Sequence, residues 1–116
     1  MMKSHINYYD EVFWVTRQIP HGRVTSYGAI ADYLALGSAR MVGWALNKCN
    51  LTGNWDVPAH RVVNRKGELS GRNHFSTPSL MEQLLTNEGV PVTDHKISNF
   101  AQYFWHPGDH LPDRDG

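Results

Sequence analysis

Residues 26–49 read SYGAIADYLALGSARMVGWALNKC and contain two helical patterns separated by a glycine. Ser26 is a favourable cap for the first helix, which we expect to run to about Leu34 before Gly37 ends it. The apolar positions of this helix recur at helical spacing and are expected to face inward: Ala29, Ile30 and Leu34.

The second helix of this stretch is predicted to begin after Ser38 as its cap. Its apolar residues fall at i, i+3, i+4 and i+7 and make one buried stripe: Val42, Ala45, Leu46 and Cys49. The opposite face is small and basic, which suits close approach to a phosphate backbone: Arg40, Gly43, Asn47 and Lys48. Two helices joined by a short turn that contains glycine predict a helix-turn-helix.

One further helix is predicted on each side of this pair. Upstream, residues of about 5–18 have helical spacing until Ile19-Pro20 ends the run, and the spaced residues are Ile6, Tyr9, Val12 and Phe13. Downstream, Ser79 and Glu82 have the spacing of a capping box. They are followed by a core face and by Gly89 as the stop, and the core face consists of Leu80, Met81, Leu84 and Leu85.

A short β-hairpin is predicted between the helix-turn-helix and the last helix. Val62-Val63 and Leu69 flank a polar segment, residues 64–68, whose turn is expected near Lys66-Gly67. Arg65 and Lys66 would then lie at its tip. The predicted fold is therefore mainly α with a small β wing, a winged helix-turn-helix.

The length and composition predict one small domain. With 116 residues and 41% hydrophobic content, the chain is long enough for a single core. We expect residues 1–116 to form one domain with its core at about 5–90. Residues 91–116 would form an extension that packs back through its aromatic residues, Phe100, Tyr103, Phe104 and Trp105.

The charge is distributed unevenly although the net charge is zero. Residues 40–72 carry six basic and two acidic side chains, whereas residues 73–116 carry two basic and six acidic ones. A nucleic-acid face beside an acidic surface would give this division, because phosphate neutralisation is a local property. An unequal but merely solvated surface is the alternative reading.

Cysteine and histidine usage limits the other classes of protein. One cysteine excludes an intramolecular disulfide, and the helical phase of Cys49 predicts a core thiol. We therefore expect a cytoplasmic protein, associated with the nucleoid when bound to DNA. No apolar run approaches the ~20 residues that cross a bilayer, so no membrane association is expected. The seven histidines lack metal-site spacing, and neither a metal nor a cofactor is predicted.

Residues 58–63 read PAHRVV and carry the most specific signal in the chain. This run resembles the Pro-Cys-His-Arg-Val active site of the O6-alkylguanine-DNA alkyltransferases, in which the cysteine accepts an alkyl group from damaged guanine. Ala59 occupies the cysteine position. Three further segments resemble that family in the same order over about residues 5–90: Ser26-Tyr27-Gly28-x-Ile30-Ala31, Arg40-x-Val42-Gly43-x-Ala45 and Glu88-Gly89.

A scaffold of this kind without the cysteine is typical of the alkyltransferase-like proteins, and the chain is identified as a member of them. The resemblance implies the fold of the alkyltransferase C-terminal domain and a protein that binds alkylated guanine without repairing it. Ala59, His60 and Glu88 would then form a vestigial site with no enzymatic activity, since a base with no nucleophile beside it has a structural role. Arg61 would tie this site to the domain.

The resemblance also implies the residues that bind DNA. Arg40 matches the arginine finger that fills the gap left by a flipped nucleotide, and Tyr27 matches the tyrosine that helps to rotate the nucleotide out. Gly43 gives DNA close access, while Arg65 and Lys66 would meet its backbone. Arg72, thirteen residues after Ala59, stands where alkyltransferases usually have tyrosine and alkyltransferase-like proteins have arginine. The implied lesion pocket comprises Leu46, Ala59, Leu69, Ser70 and Arg72.

Two positions depart from the family pattern. Cys49 occurs where an asparagine hinge is common, and many alkyltransferase-like relatives carry tryptophan where this chain has Ala59. Because alanine is smaller, we expect tolerance of bulky adducts.

The expected partners are double-stranded DNA containing O6-alkylguanine and the damage-recognition proteins of nucleotide excision repair, with the chain acting as a monomer. Two alternative functions are a winged-helix transcription regulator and an alkyltransferase that uses another acceptor, for which Cys49 is the candidate.

Overall fold

The computed structural model describes residues 7–49 and 52–113, and nearly all of its regular structure is helical. The α-helices are α1 (Asn7–Gln18), α2 (Tyr27–Leu34), α3 (Ala39–Leu46), α4 (Leu80–Asn87) and α5 (Phe100–Tyr103). The strands are β1 (Thr25–Ser26), β2 (Val62–Val63), β3 (Val92–Thr93) and β4 (Lys96–Ile97). The prediction of a mainly helical fold with a small β component is confirmed. Ile6, predicted to lie in the first helix, is outside the described residues.

The two helices α2 and α3 form the predicted helix-turn-helix, but α2 ends earlier than Gly37. The Oγ of Ser26 accepts a hydrogen bond from the Ala29 N–H at 3.0 Å, as expected of a helix cap. Ala35, in the left-handed conformation with φ of 56°, ends the helix. This early reversal lets the Leu36 N–H reach the Ala31 carbonyl at 2.9 Å and directs the Leu36 side chain onto the core. The expectation that Gly37 ends the helix is therefore wrong.

The buried stripe of α3 is confirmed, because Val42, Ala45, Leu46 and Cys49 are all buried. The stripe packs with α1, α2 and Trp105 into a first core cluster. Ser38 precedes α3 in an extended conformation, although its side chain makes no capping hydrogen bond.

A second core cluster lies around α4 and contains Val24, Val63, Leu69, Met81, Leu85, Val90 and Ile97. The strands β1 and β2 pair in parallel, with Thr25 opposite Val62 and Ser26 opposite Val63. Val62 belongs to the first cluster and Val63 to the second. The short strand pair therefore fastens the segment after Ala59 to the start of the helix-turn-helix.

The predicted hairpin of residues 62–69 is wrong in its pairing. A tight turn does form, since the Asn64 carbonyl accepts from the Gly67 N–H at 2.9 Å, and Arg65 and Lys66 are exposed at its tip. The strand Val62–Val63, however, pairs with β1 and not with the segment after the turn. In this position both valines are fully buried between the two clusters. Residues 67–69 pair instead with residues 95–97, with the Leu69 N–H donating to the His95 carbonyl at 2.8 Å.

Helix α4 forms as predicted, except for its cap and part of its core face. Ser79 has helical backbone angles and makes no capping hydrogen bond, so the capping box with Glu82 does not form. Met81 and Leu85 are fully buried, whereas Leu80 and Leu84 are half-buried. Gly89 ends the helix in the left-handed region with φ of 85°.

Residues beyond α4 pack against both clusters. The hairpin β3–β4 pairs Val92 with Ile97, and Phe100 and Tyr103 of α5 contact the second cluster. The Trp105 side chain is buried in the first cluster, and its backbone N–H donates to the Val24 carbonyl at 2.7 Å. Among the described residues, no helix has the length and apolar composition needed to cross a bilayer.

Candidate nucleic-acid interface

A cavity of about 630 Å³ opens between the end of α3, the segment around Ala59 and helix α4. Its wall is apolar on several sides and polar at one end. The residues that define it include Tyr27, Leu46, Trp55, Val57, Pro58, Ala59, His60, Phe75, Leu80 and Leu84. The half-burial of Leu80 and Leu84 is explained here, because these side chains face the cavity.

The carboxylate of Glu88 organises the polar end. Its Oε2 accepts from His60 Nε2 at 2.7 Å, and its two oxygens accept from the Arg61 guanidinium at 2.9 to 3.1 Å. The Gly22 N–H donates to Oε1 at 2.8 Å. Arg61 also donates to the Ile19 carbonyl at 2.9 Å, which ties the site to the end of α1. The structure thus brings His60 and Glu88 together, and Arg61 connects this pair to α1.

The protonation states in this network follow from burial and hydrogen bonding. Burial by itself would raise the pKa of Glu88, but hydrogen bonds from Arg61, the Gly22 N–H and His60 outweigh it and lower the pKa to about 2. Burial lowers the pKa of His60 despite the opposing effect of Glu88, so His60 is neutral at pH 7. An ionised carboxylate only accepts, and His60 therefore donates its Nε2–H and keeps Nδ1 as an acceptor.

This arrangement is a positioned base with no nucleophile at the adjacent residue. The methyl group of Ala59 can neither accept an alkyl group nor lose a proton. What the network does provide is a fixed wall, since one ionised carboxylate holds two side chains and a backbone N–H.

Tyr27 lies in the wall of the cavity and also in that of a neighbouring groove of about 420 Å³. Burial raises the pKa of Tyr27, while its hydrogen bond with Ser70 acts in the opposite direction. A Cβ atom added to Gly71 would lie 2.6 Å from the Tyr27 hydroxyl oxygen. Glycine at position 71 is thus required by the position of Tyr27.

The groove runs along the outer face of α3 and is lined by Tyr27, Ala39, Arg40, Gly43, Trp44 and Asn47. Arg40 is exposed, and a Cβ atom added to Gly43 would meet no atom within 4 Å. Trp44 is 52% exposed, four residues after Arg40 on the same helix. The sequence analysis missed Trp44, although a tryptophan outside the buried stripe of Val42, Ala45 and Leu46 is a detectable signal.

The structure places the five predicted pocket residues in different surroundings. Leu46 and Ala59 line the cavity. Leu69 does not, and this expectation is corrected, because its side chain is fully buried in the second core cluster. Ser70 is exposed, and its side chain is hydrogen-bonded to Tyr27.

Arg72, the fifth, begins a 3-10 turn and donates from its guanidinium to the Leu69 carbonyl at 3.1 Å. It is not among the residues that line the cavity. The cavity residues that were not predicted from the sequence include Arg17, Trp55, Asp56, Val57, Gly71, His74 and Phe75.

Cys49 is 4% exposed and belongs to the first core cluster, as its helical phase predicts. Within the described residues, no three metal-ligating side chains come together as an ion site would require.

Similarity to known proteins identifies the family of this chain. A family model described as the DNA-binding domain of 6-O-methylguanine DNA methyltransferase matches residues 7–90. The chain is 33% identical over 105 residues to Alkyltransferase-like protein 1 of Schizosaccharomyces pombe, which covers 86% of this chain and 95% of that protein. The chain belongs to the alkyltransferase-like proteins.

Two further comparisons agree with the alkyltransferase-like assignment. The chain is 36% identical over 98 residues to a DNA base-flipping protein of Vibrio parahaemolyticus, covering 84% of this chain and 94% of that protein. A crystal structure of S. pombe Atl1 in complex with damaged DNA containing O6-carboxymethylguanine matches with a TM-score of 0.73 and 32% identity. That match covers 89% of this chain and 98% of the other, and it confirms the predicted fold.

The hydrogen-bonded network at Glu88 predicts that the protein loses part of its stability as the pH falls. The pKa of Glu88 lies near 2 in the folded protein and near 4.5 without the network, so the unfolded chain takes up the proton first as the pH falls. The stabilisation is complete above about pH 4.5 and is lost towards pH 2, by about 3 kcal/mol at most. Urea unfolding at a series of pH values should show Glu88→Gln less stable than the wild type at pH 7, with the gap closing towards pH 2.

Glu82→Gln is the matched control for this measurement, because it removes a carboxylate from the same helix but outside the network. Its difference from the wild type should vary little over the same range of pH. A wild-type advantage over Glu88→Gln that stays constant down to pH 2 would contradict an ionised Glu88 as the organising group.

Proposed function

We propose that this protein recognises O6-alkylguanine in duplex DNA by taking the flipped nucleotide into the cavity beside Ala59, and that it does not transfer the alkyl group. One observation carries the proposal. A cavity large enough for a base, with Ala59 and the Glu88-bound His60 in its wall, adjoins the groove that contains Arg40. The crystallised relative bound to damaged DNA and the relatives named DNA base-flipping proteins support it.

Tyr27 lies on the path that a flipped nucleotide would take. Because this side chain borders both the groove and the cavity, a nucleotide that leaves a duplex on α3 would pass it on the way in. Arg40, exposed in the groove, would occupy the space that the nucleotide vacates. Extrusion costs a few kcal/mol and is easier for a damaged base, which would favour lesions over normal guanine.

The charge distribution supports the same orientation on DNA. Residues 40–72 carry a net charge of +4, and Arg40, Lys48, Arg65 and Lys66 are exposed. Contacts of such side chains with phosphates would supply binding that is independent of sequence and weakens as salt is added. Discrimination would then come from the cavity.

Arg40 and Arg72 are expected to contribute in different ways to binding. Arg40→Ala should weaken binding to damaged and undamaged duplexes alike, because the finger stabilises any flipped state. The Arg72 guanidinium, which donates to the Leu69 carbonyl in the free protein, would turn from it to stack on the flipped guanine. Arg72→Ala should then act mainly on discrimination and narrow the free-energy gap between alkylated and normal guanine by about 0.5–2 kcal/mol, through loss of that cation–π contact. Dissociation constants for two duplexes that differ only by O6-methylation of one guanine measure both effects.

Arg23→Ala is a suitable control, because Arg23 is an exposed arginine that donates to the Gln102 carbonyl at 3.2 Å, outside the groove and the cavity. Equal losses for both duplexes in Arg40→Ala and Arg72→Ala would reduce both residues to phosphate contacts. Equal affinity of the wild type for the two duplexes would favour a winged-helix transcription regulator.

No alkyl transfer is expected from this protein. A duplex with a radiolabelled O6-methyl group, incubated for long times with an equimolar amount of protein, should leave the protein unlabelled because Ala59 has no nucleophilic atom. An active alkyltransferase provides the positive control. Stoichiometric labelling that disappears in Cys49→Ser would instead identify Cys49 as the acceptor and overturn the non-enzymatic proposal.

Recognition without removal of the alkyl group requires a second pathway, and we assign this to nucleotide excision repair. A bound protein that only shielded the lesion would hinder its repair. The segment 73–116 carries a net charge of −4, and its exposed Asp94 and Asp109, which do not line the cavity, would be repelled from DNA. It is the candidate surface for the damage-recognition proteins.

Excision by the reconstituted repair proteins tests this assignment. Incision of an O6-alkylguanine duplex should increase when the wild-type protein is added and should fall back with Arg40→Ala, which weakens DNA binding. Asp94→Asn with Asp109→Asn should keep DNA affinity but lose part of the stimulation. Inhibition of incision by the wild type would point to a shielding protein.

A further inference from the structure

Trp55 is the most exposed large hydrophobic side chain in the described part of the chain, at 73%, and it stands in the wall of the cavity. Trp14 and Trp44 are 42% and 52% exposed. An indole ring that remains in water forgoes the stabilisation that burial would give it. Its position in the wall of the cavity therefore suggests that a bound ligand covers the ring.

Trp55 lies in a turn, and the residues on either side of it accept hydrogen bonds from Arg17 of α1. Residues 54–57 form a turn in which the Val57 N–H donates to the Asn54 carbonyl at 3.3 Å, with Trp55 as its second residue. Arg17 on α1 donates to both carboxylate oxygens of Asp56, at 2.9 and 3.0 Å, and to the Asn54 side chain at 2.9 Å. Trp55 thus lies between two residues whose side chains Arg17 holds, which restricts the backbone on both sides of the tryptophan.

The short segment from Trp55 to Ala59 ends in a tight turn. The Ala59 N–H donates to the Val57 carbonyl at 2.8 Å. Residue 59 is where the alkyltransferases carry their alkyl acceptor, so a substituent on O6 of a flipped guanine would reach Ala59. Trp55 lines the same cavity as Ala59, so that substituent would enter a space that Trp55 borders.

Part of the remaining wall is apolar, beside polar residues that include His60, Asp56 and His74. Phe75 contributes a second aromatic ring, and Leu80 and Leu84 contribute aliphatic surface. Ala59 leaves this part of the cavity open. Stacked and edge-to-face aromatic contacts add to the area that they bury, whereas a saturated ring of the same size gains only the burial.

We propose that Trp55 determines the adduct specificity of this protein by stacking on a planar aromatic substituent at O6 of the flipped guanine. The inference rests on the proposed function and names its preferred ligand class: O6-arylmethylguanines over saturated adducts of the same size. Arg17, through Asn54 and Asp56, is the positioning residue for the indole.

Four duplexes that differ at one guanine test the proposal: unmodified, O6-methyl, O6-benzyl and O6-cyclohexylmethyl. Dissociation constants are measured by fluorescence anisotropy for the wild type, Trp55→Ala and Trp55→Phe. Trp14→Ala is the matched control, because Trp14 is an exposed tryptophan on α1 that does not line the cavity. Circular dichroism spectra establish that each variant is folded.

The wild type should bind the benzyl duplex about 3- to 10-fold more tightly than the cyclohexylmethyl duplex, which is the range of an aromatic pair. Trp55→Ala should abolish that ratio, because its affinity for the benzyl duplex should fall more than its affinity for the cyclohexylmethyl and unmodified duplexes. Trp55→Phe should keep most of the ratio, and Trp14→Ala should keep all of it.

Three outcomes would overturn the inference. The benzyl and cyclohexylmethyl duplexes could bind equally to the wild type, or the ratio could persist in Trp55→Ala. Trp55→Ala could also weaken all four duplexes equally, which would make Trp55 a general DNA contact. Failure of the proposed function looks different, because the wild type would then bind the O6-methyl and unmodified duplexes equally.

Discussion

The carboxylate of Glu88 is the interaction on which the rest of the site depends. Side-chain groups of His60 and Arg61 and the backbone of Gly22 converge on its two oxygens, and these donors come from segments far apart in the chain. Glu88 itself sits at the C-terminal end of α4, where Gly89 ends the helix. An ionised group that is only 8% exposed is tolerated because every one of these contacts is with a donor.

The parallel pairing of β1 with β2 connects this site to the helix-turn-helix. Ser26, in β1, caps α2, so the residue that starts the helix-turn-helix also pairs with the segment that follows Arg61. Tyr27 follows at once. The cavity wall and the groove on α3 are therefore built from one continuous framework, and the two concavities keep a fixed relation to each other.

The sequence was sufficient where the structure is decided locally. The Ser26 cap and the stripe of α3 depend on residues within one or two turns, and both are present. Ser79 shows the limit of that reasoning, because the spacing to Glu82 identifies the side chains of a capping box but not the backbone angles that Ser79 adopts.

Features that depend on distant parts of the chain were not accessible. Two-residue strands carry no alternating pattern, so the pairing of Val62 with Thr25 had no local signal. Periodicity likewise identifies an apolar face of α4 without telling whether it meets the core, as Leu85 does, or a cavity, as Leu84 does.

The close approach of Gly71 to the Tyr27 hydroxyl couples these two positions in evolution. A side chain at position 71 would require the tyrosine either to move from its present place between the groove and the cavity or to be replaced by a shorter residue.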